Sequence, residues 1–594
     1  MSKSWIALLA LMPAVTLVAC GSDTTPTSTT TPPSTSFKNN PCPGGTVQLG
    51  VAQSARVDCS AGGTTVTLAG NGASYIIVPQ FATDQVPDTL VRYSIASGTT
   101  AAASIASSFS RSAALARSSA MIGAPTGALP TYRPMAAQQA ADRILRARAR
   151  KSVDAGTVRA SYLHSRTTQR SAALDAIPAV GSIRSFHVLS NFSTNSFKTV
   201  GAKLSFAGNN LLLYVDTLAP AGGFTAQQLS DFGTTFDKTF YPIDTTAFGS
   251  PADLDQNGHV IMLMSPVVNA DTPTASCNAS GFVAGFFDTE DFNSATDPNS
   301  NQGEVFYSIV PDPSGTFSCA HSTADLGASV PATFMHELQH LIYFSQHVIV
   351  SGTGEGSSWM DEGLSIIAEE LGSLYYEQKC PPPSCRTSAS QLFPDSAQGF
   401  VSGFLFDSYQ YAYLPDTASI LLHDDSEDGF SWRGGTWLLM RYLGDQMGSS
   451  FFRKLEKGPA NGILNIEQAT GQSFPTLFAN FGIALATDSL GGLPRTTAPA
   501  TNRFSTRNVK ALWARLFATS GGASDVPVAN PVLLFPITAD TASAVMSPGT
   551  MTYFRLDTPA SAATVTIQFS RPAGVAFPPA LKPQLAIFRL PAGQ

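Results

Sequence analysis

The spacing of hydrophobic positions along this chain changes period several times, and each change marks a new kind of element. From Thr46 to about Ser97, short alternating runs such as Thr64-Thr-Val-Thr-Leu68 and Tyr75-Ile-Ile-Val78 sit between Gly and Asn turns. Period two between turn residues predicts strands, and so a small β module. From Thr99 to about Leu174 the pattern dissolves into Ala, Ser and Arg, with the basic cluster Arg143-Ile-Leu-Arg-Ala-Arg-Ala-Arg-Lys151. Strand-like runs return at Asn210-Leu-Leu-Leu-Tyr-Val215 and His259-Val-Ile-Met-Leu-Met264. Helical periods follow over Pro331–Phe344, from Trp359 to about Gly372, over Gly434–Leu443 and over Phe474–Leu485. Alternation resumes at Val565-Thr-Ile-Gln-Phe569 and Gln584-Leu-Ala-Ile-Phe588 and predicts a carboxy-terminal β-sandwich.

The helical run 331–344 carries His336-Glu337-Leu338-Gln339-His340. Residues four apart share one face of a helix, so both imidazoles can reach one ion while Glu337 stands beside the water bound to it. A catalytic zinc takes three protein ligands and keeps its fourth position for water. Past the Gly/Ser-rich stretch 351–358, Trp359-Met-Asp-Glu-Gly-Leu-Ser365 opens the next helix with Glu362 in its first turn. That carboxylate is the expected third ligand, with zinc the expected cofactor.

From about Val180 to Leu490 the chain resembles the hyicolysin-type neutral metallopeptidases of the glutamate-zincin clan. The resemblance rests on His336, Glu337, His340 and the Trp359–Gly363 block, preceded by Asp253-Leu-Asp-Gln-Asn-Gly258 and Gly303-Glu-Val-Phe-Tyr307. It implies a zincin-like catalytic domain in a multidomain α+β chain, with a β-rich upper lobe carrying the HExxH helix, a helical lower lobe, and substrate across the cleft between them. It also implies peptide-bond hydrolysis through a zinc-bound water, Glu337 acting as general base. Thermolysin-like members carry a carboxylate four residues after the third ligand; here that position is Ile366. The acidic candidates for orienting a ligating histidine are therefore Asp361, Glu369 and Glu370. Related enzymes use a Tyr or His to stabilise the oxyanion. Tyr409, Tyr411 and His423 are the candidates beyond Glu362, and the position comparable to the aminopeptidase tyrosine, before Gly434 and Gly435, is Trp432.

Asp253-Leu-Asp-Gln-Asn-Gly258 has oxygen-bearing side chains at alternate positions, the start of a calcium loop, but its twelfth position is Met264 and excludes a full EF-hand. Two readings stand: a polar turn leading into a strand, or a calcium site with Asp253, Asp255 and Asn257 as side-chain ligands.

At the amino terminus Lys3 precedes the apolar run Trp5–Met12, and the segment ends Leu17-Val-Ala-Cys20-Gly21. This resembles a bacterial lipoprotein signal with Cys20 lipidated, the alternative being an ordinary secretory signal. The run is shorter than the roughly 20 apolar residues of a spanning helix. The expected product is an exported lipoprotein, at the cell surface or in the periplasm and touching membrane through its lipid alone, or a released secreted form. Gly21–Ser34 is rich in Ser, Thr and Pro and reads as a tether.

The chain has 7 cysteines; with Cys20 set aside, the rest fall into local pairs, Cys42 with Cys59, Cys277 with Cys319 and Cys380 with Cys385. Three disulfides agree with export, though six cysteines allow 15 pairings. At 594 residues and 43% hydrophobic content there is material for several domains. The expected boundaries are 1–20 signal, 21–40 tether, 41–98 β module, 99–179 linker or pro-segment, 180–495 metallopeptidase domain and 496–594 β-sandwich-like domain. A net charge of −7 gives no electrostatic reason to expect nucleic acid, and no obligate protein partner is inferred. The leading reading is a zinc endopeptidase acting on proteins or peptides outside the cytoplasm. Its alternatives are a non-catalytic adhesion or binding protein on the same scaffold, against which Glu337 weighs, and a zinc aminopeptidase.

Overall fold

The alternating segments do form strands, but many of them find their partners at the other end of the chain. The computed structural model describes residues 38–86, 89–98, 107–108, 136–168, 177–379, 395–416, 418–421, 431–496, 498–523, 525–538 and 542–594. Cys20, Cys380, Cys385 and His423 lie outside them.

The first strands are β1 (Lys38–Pro41), β2 (Ser54–Asp58), β3 (Thr65–Ala69), β4 (Ser74–Phe81), β5 (Val91–Ser97) and β6 (Ser107–Ser108). A central group follows: β7 (Ile183–Asn191), β8 (Ser196–Ala207), β9 (Leu211–Asp216), β10 (Val260–Met264), β11 (Gly285–Phe287) and β12 (Val305–Ser308). The last are β13 (Phe535–Pro536), β14 (Ala542–Met546), β15 (Phe554–Asp557), β16 (Thr564–Ser570) and β17 (Pro583–Arg589).

Early and late strands interleave in two sheets, ordered β1-β2-β17-β4-β15-β13 and β3-β16-β5-β14-β6. β17 runs antiparallel between β2 and β4, with Leu585 opposite both Val57 and Pro79. In the other sheet β5 is held between β16 and β14. Tyr75, Ile77, Tyr93, Ile95, Ile567, Phe569, Leu585 and Ile587 close one core between the sheets. Strands from 41–98 and from 535–589, expected in two modules, therefore build a single sandwich, while Phe504, Val509, Trp513 and Leu516 join the helical core. Cys42–Cys59 ties its amino-terminal edge, and a second disulfide, Cys277–Cys319, lies in the central region.

The central sheet has the order β11-β12-β10-β9-β8-β7. β9, β10 and β12 are parallel neighbours, buried on both faces, and β11 is an antiparallel edge strand. Parallel strands need crossovers, so helices cover the sheet. The helices used below are α1 (Ala136–Asp154), α2 (Thr157–Thr168), α3 (Thr323–Phe344), α4 (Ser358–Lys379), α5 (Asp395–Tyr413), α6 (Ser431–Met447) and α7 (Phe474–Thr487). Ser322 caps α3 by accepting from Asp325 N. Leu326, Val330, Phe334, Leu338 and Leu341 then form its buried stripe, with Phe334 edge-on to Phe306 of β12. α4 crosses close by, because Gly372 leaves room for Met335 of α3 and Phe400 of α5. A Cβ at Gly372 would lie 2.6 Å from the Met335 sulfur and 2.5 Å from the Phe400 ring. The whole is a mixed α+β chain, and among the described residues no helix is long and apolar enough to cross a membrane.

A buried ion network pins α4 to α6. Glu370, fully buried, accepts from Arg441 Nη1 at 3.2 Å and Arg507 Nε at 2.5 Å, and Arg507 also reaches Glu377. Glu370 is thus committed to structure and not to orienting a histidine. Removing one partner of a buried charge cluster strands the others, so Glu370→Ala is expected to lower stability by about 3–5 kcal/mol. Thermal unfolding of the purified chain measures this, and an unchanged midpoint would contradict the role given to the network.

Candidate active site

α3 and α4 bring His336, His340 and Glu362 together, with one ligand-type atom from each lying within 4.8 Å of the others. His336 Nε2 is 3.5 Å from Glu362 Oε2 and His340 Nε2 is 3.8 Å from Glu362 Oε1. The opposite ring nitrogens face carboxylates. His336 Nδ1 is 2.6 Å from Glu369 Oε1, and His340 Nδ1 is 2.9 Å from Asp361 Oδ1. A carboxylate at one nitrogen sets the tautomer and leaves the other free to ligate. Glu369 follows Glu362 by two helical turns and so lies on the same face of α4. Burial pushes its carboxyl up to about 8, against the pull of Arg433.

Two imidazoles and one carboxylate are the donor set of a catalytic zinc, and the second nitrogen of each ring lies within 2.9 Å of a carboxylate oxygen, so these residues fit the metal. If Glu369 and Asp361 orient the rings, Glu369→Ala and Asp361→Ala are each expected to weaken zinc binding about 10- to 100-fold. Competition with a chromogenic chelator reads this directly, and wild-type affinity in both variants would remove the bracing role.

Glu337 lines the same cavity as His340 and Asp361, and its Oε2 accepts from Phe287 N of β11 at 3.1 Å. Burial holds its carboxyl well above the ordinary range, with Asp142 adding to the shift and Arg433 opposing it. Beside it opens a cleft of about 720 Å³, its mouth included, lined by Glu337, His340, Tyr343, Phe287, Asp361 and residues of α1. Two guanidinium groups converge on Glu362: Arg146 contacts Oε1 and Arg433 contacts Oε2, while Arg433 Nη2 also lies 3.1 Å from His336 Nε2. Burial, His340 and these two guanidinium groups together hold the His336 imidazole well below its ordinary range.

The other expected site residues fall elsewhere. Tyr409, fully buried, donates to Val528 O at 2.7 Å, and Tyr411 packs into the helical core beside Gly435. Neither lines the cleft. The residue drawn in from that part of the chain is Arg433, next to Trp432, and its position at the start of an apolar helix gave little sign of a polar destination. At the acidic loop, Asn257 donates to Asp255 Oδ2 at 2.6 Å and accepts from His259 N at 2.6 Å. It serves the turn, in which Gln256 and Gly258 both have positive φ. The carboxylates that do gather are Asp253, Asp255 and Glu304. Burial raises Asp255 to about 6.

No protein-family model matches the chain. Over 341 residues, 56% of this chain and 68% of its relative, the sequence is 26% identical to the neutral metalloprotease ShpI of Staphylococcus hyicus, and this likeness supports a metallopeptidase.

Proposed function

We propose that the chain is a zinc-dependent endopeptidase of hyicolysin type, exported and anchored through Cys20. The observation that carries the reading is the setting of both histidines: each Nδ1 lies within 2.9 Å of a carboxylate and each Nε2 lies within 3.8 Å of Glu362. Zinc held by this set would polarise a peptide carbonyl and lower the pKa of its water to roughly 7. Glu337 would take a proton from the attacking water and deliver it to the departing amine. The edge strand β11, whose Phe287 N already reaches Glu337, offers backbone groups to an extended peptide laid along the cleft. Pairing of that kind suits internal segments of a substrate and favours an endopeptidase.

The test is hydrolysis of casein or gelatin with bound zinc quantified, before and after chelation and after zinc is restored. Internal cleavage that disappears on chelation and returns with zinc is expected. Release of amino-terminal residues alone would replace the endopeptidase by an aminopeptidase, and cleavage indifferent to chelation would end the zinc reading. The anchor is tested separately, since Cys20→Ala should move the protein out of the membrane fraction.

A further inference from the structure

Part of the residue cluster read as a basic linker walls the cleft. α1 presents Gln138, Asp142, Leu145, Arg146 and Ala149 on one helical face, and all but Gln138 line the cavity beside Glu337 and His340. Gln138 engages the edge strand as a substrate backbone would: its Nε2 donates to Gly285 O at 2.9 Å and its Oε1 accepts from Ala284 N at 2.9 Å. Arg146, two turns along, contacts Glu362. At the rim, Arg148 pairs with Asp288 at 2.8 Å and Arg150 with Glu355 at 3.3 Å. α2 extends the attachment, with Arg159 Nε donating to Ile349 O at 3.1 Å and Ser161 Oγ to Asn293 Oδ1 at 3.2 Å.

Two classes of group that a peptide and a cation would need in this cleft are thereby engaged within the chain itself: edge-strand backbone by Gln138, and the carboxylate expected to hold metal by Arg146. We propose that α1 and α2 form an intramolecular inhibitor, with α1 seated as a substrate surrogate and Arg146 competing with metal for Glu362. The inference rests on the peptidase reading for what is inhibited, while the occupancy of the cleft stands on the contacts alone. The intact chain is then latent, and activation requires α1 to leave.

The experiment compares the intact wild-type chain with Q138A/R146A, measuring zinc affinity by chelator competition, binding of a fluorescent peptide hydroxamate to the zinc-loaded protein, and casein turnover. Loss of a charge-assisted contact and a pair of backbone bonds is expected to raise hydroxamate affinity and turnover about 10- to 100-fold. Zinc affinity should rise with them, and a synthetic peptide of residues 136–154 should reverse the gain in hydroxamate binding. Equal hydroxamate and zinc affinities in the two proteins would overturn the proposal. Should the double variant fail to fold, R148A/R150A removes the pairs with Asp288 and Glu355, along with the Arg148 contacts to Asp297 and the Phe197 ring, and is expected to give a gain of up to about 5-fold; no gain there overturns it equally. Tighter hydroxamate and zinc binding without hydrolysis of any substrate would uphold α1 as the occupant and count against the peptidase reading instead.

Discussion

Glu337→Gln is expected to lower kcat on casein by about 10³- to 10⁴-fold while zinc stays bound at wild-type affinity. The separation of the two readouts follows from geometry. Glu337 contributes no atom to the cluster of His336, His340 and Glu362, and the bond it accepts from Phe287 N is one that the carbonyl oxygen of glutamine can also accept. Shape, helix and ligand set are conserved, and what is lost is the ability to take a proton from water. Glu362→Gln is the converse case, since it removes charge from a ligand and should lower zinc affinity and turnover together. Because α1 walls the cleft and Arg146 contacts Glu362, both substitutions are best measured against the Q138A/R146A background. A Glu337→Gln protein retaining a tenth of the turnover, or one that loses zinc, would show that this carboxylate has another task.

What could be read from the sequence here is what is local. His336, Glu337 and His340 announce themselves through one helical turn, and Glu362 through its place at the start of the next helix. The carboxylates beside the histidines follow the same rule and are among the acidic candidates: Asp361 adjoins the ligand, and Glu369 is two turns beyond it on the same face, while the position four residues on is Ile366. Glu370, one residue further, points to Arg441 and Arg507 instead, and a step of about 100° around the helix is the whole difference. Tyr409 and Tyr411 fail for another reason. An aromatic residue in a helical run has the same pattern whether it lines a cleft or fills a core, and these two fill a core. The basic run 143–151 was visible as a cluster, but its partners Glu362, Asp288 and Glu355 are far away in sequence. Long-range pairing also hid the sandwich, since periodicity identifies a strand without naming its neighbour. Arg56 and Gln584, bonded at 2.5 Å, are 528 positions apart.

That distant pairing makes the last strand a strong test of the architecture. A chain ending at Lys582 is expected to lose cooperative folding, although it keeps every residue of the candidate active site. β17 is central to its sheet and buried on both faces: Leu585 and Ile587 enter the sandwich core, while Ala586 and Phe588 belong to the core shared with the helices. Burying a Leu, Ile or Phe side chain contributes roughly 1.5–3 kcal/mol each, so three of them represent about 5–9 kcal/mol, comparable with a whole domain's stability of about 5–15 kcal/mol. Truncation also strands a polar chain at the interface with α7. Gln584 Nε2 donates to Gln80 Oε1 and to Pro475 O, and Gln80 Nε2 in turn donates to Phe478 O, each within 2.9 Å. α7 packs on α6, the helix that delivers Arg433 to Glu362, so damage at β17 should propagate to the site. The milder Phe588→Ala should cost about 3–5 kcal/mol and leave the fold intact. Denaturant unfolding of the three proteins decides it: a truncated chain that unfolds in one transition near the full-length midpoint would mean that the amino-terminal strands close their sheets without β17, and that the sandwich is not the support on which the helices rest.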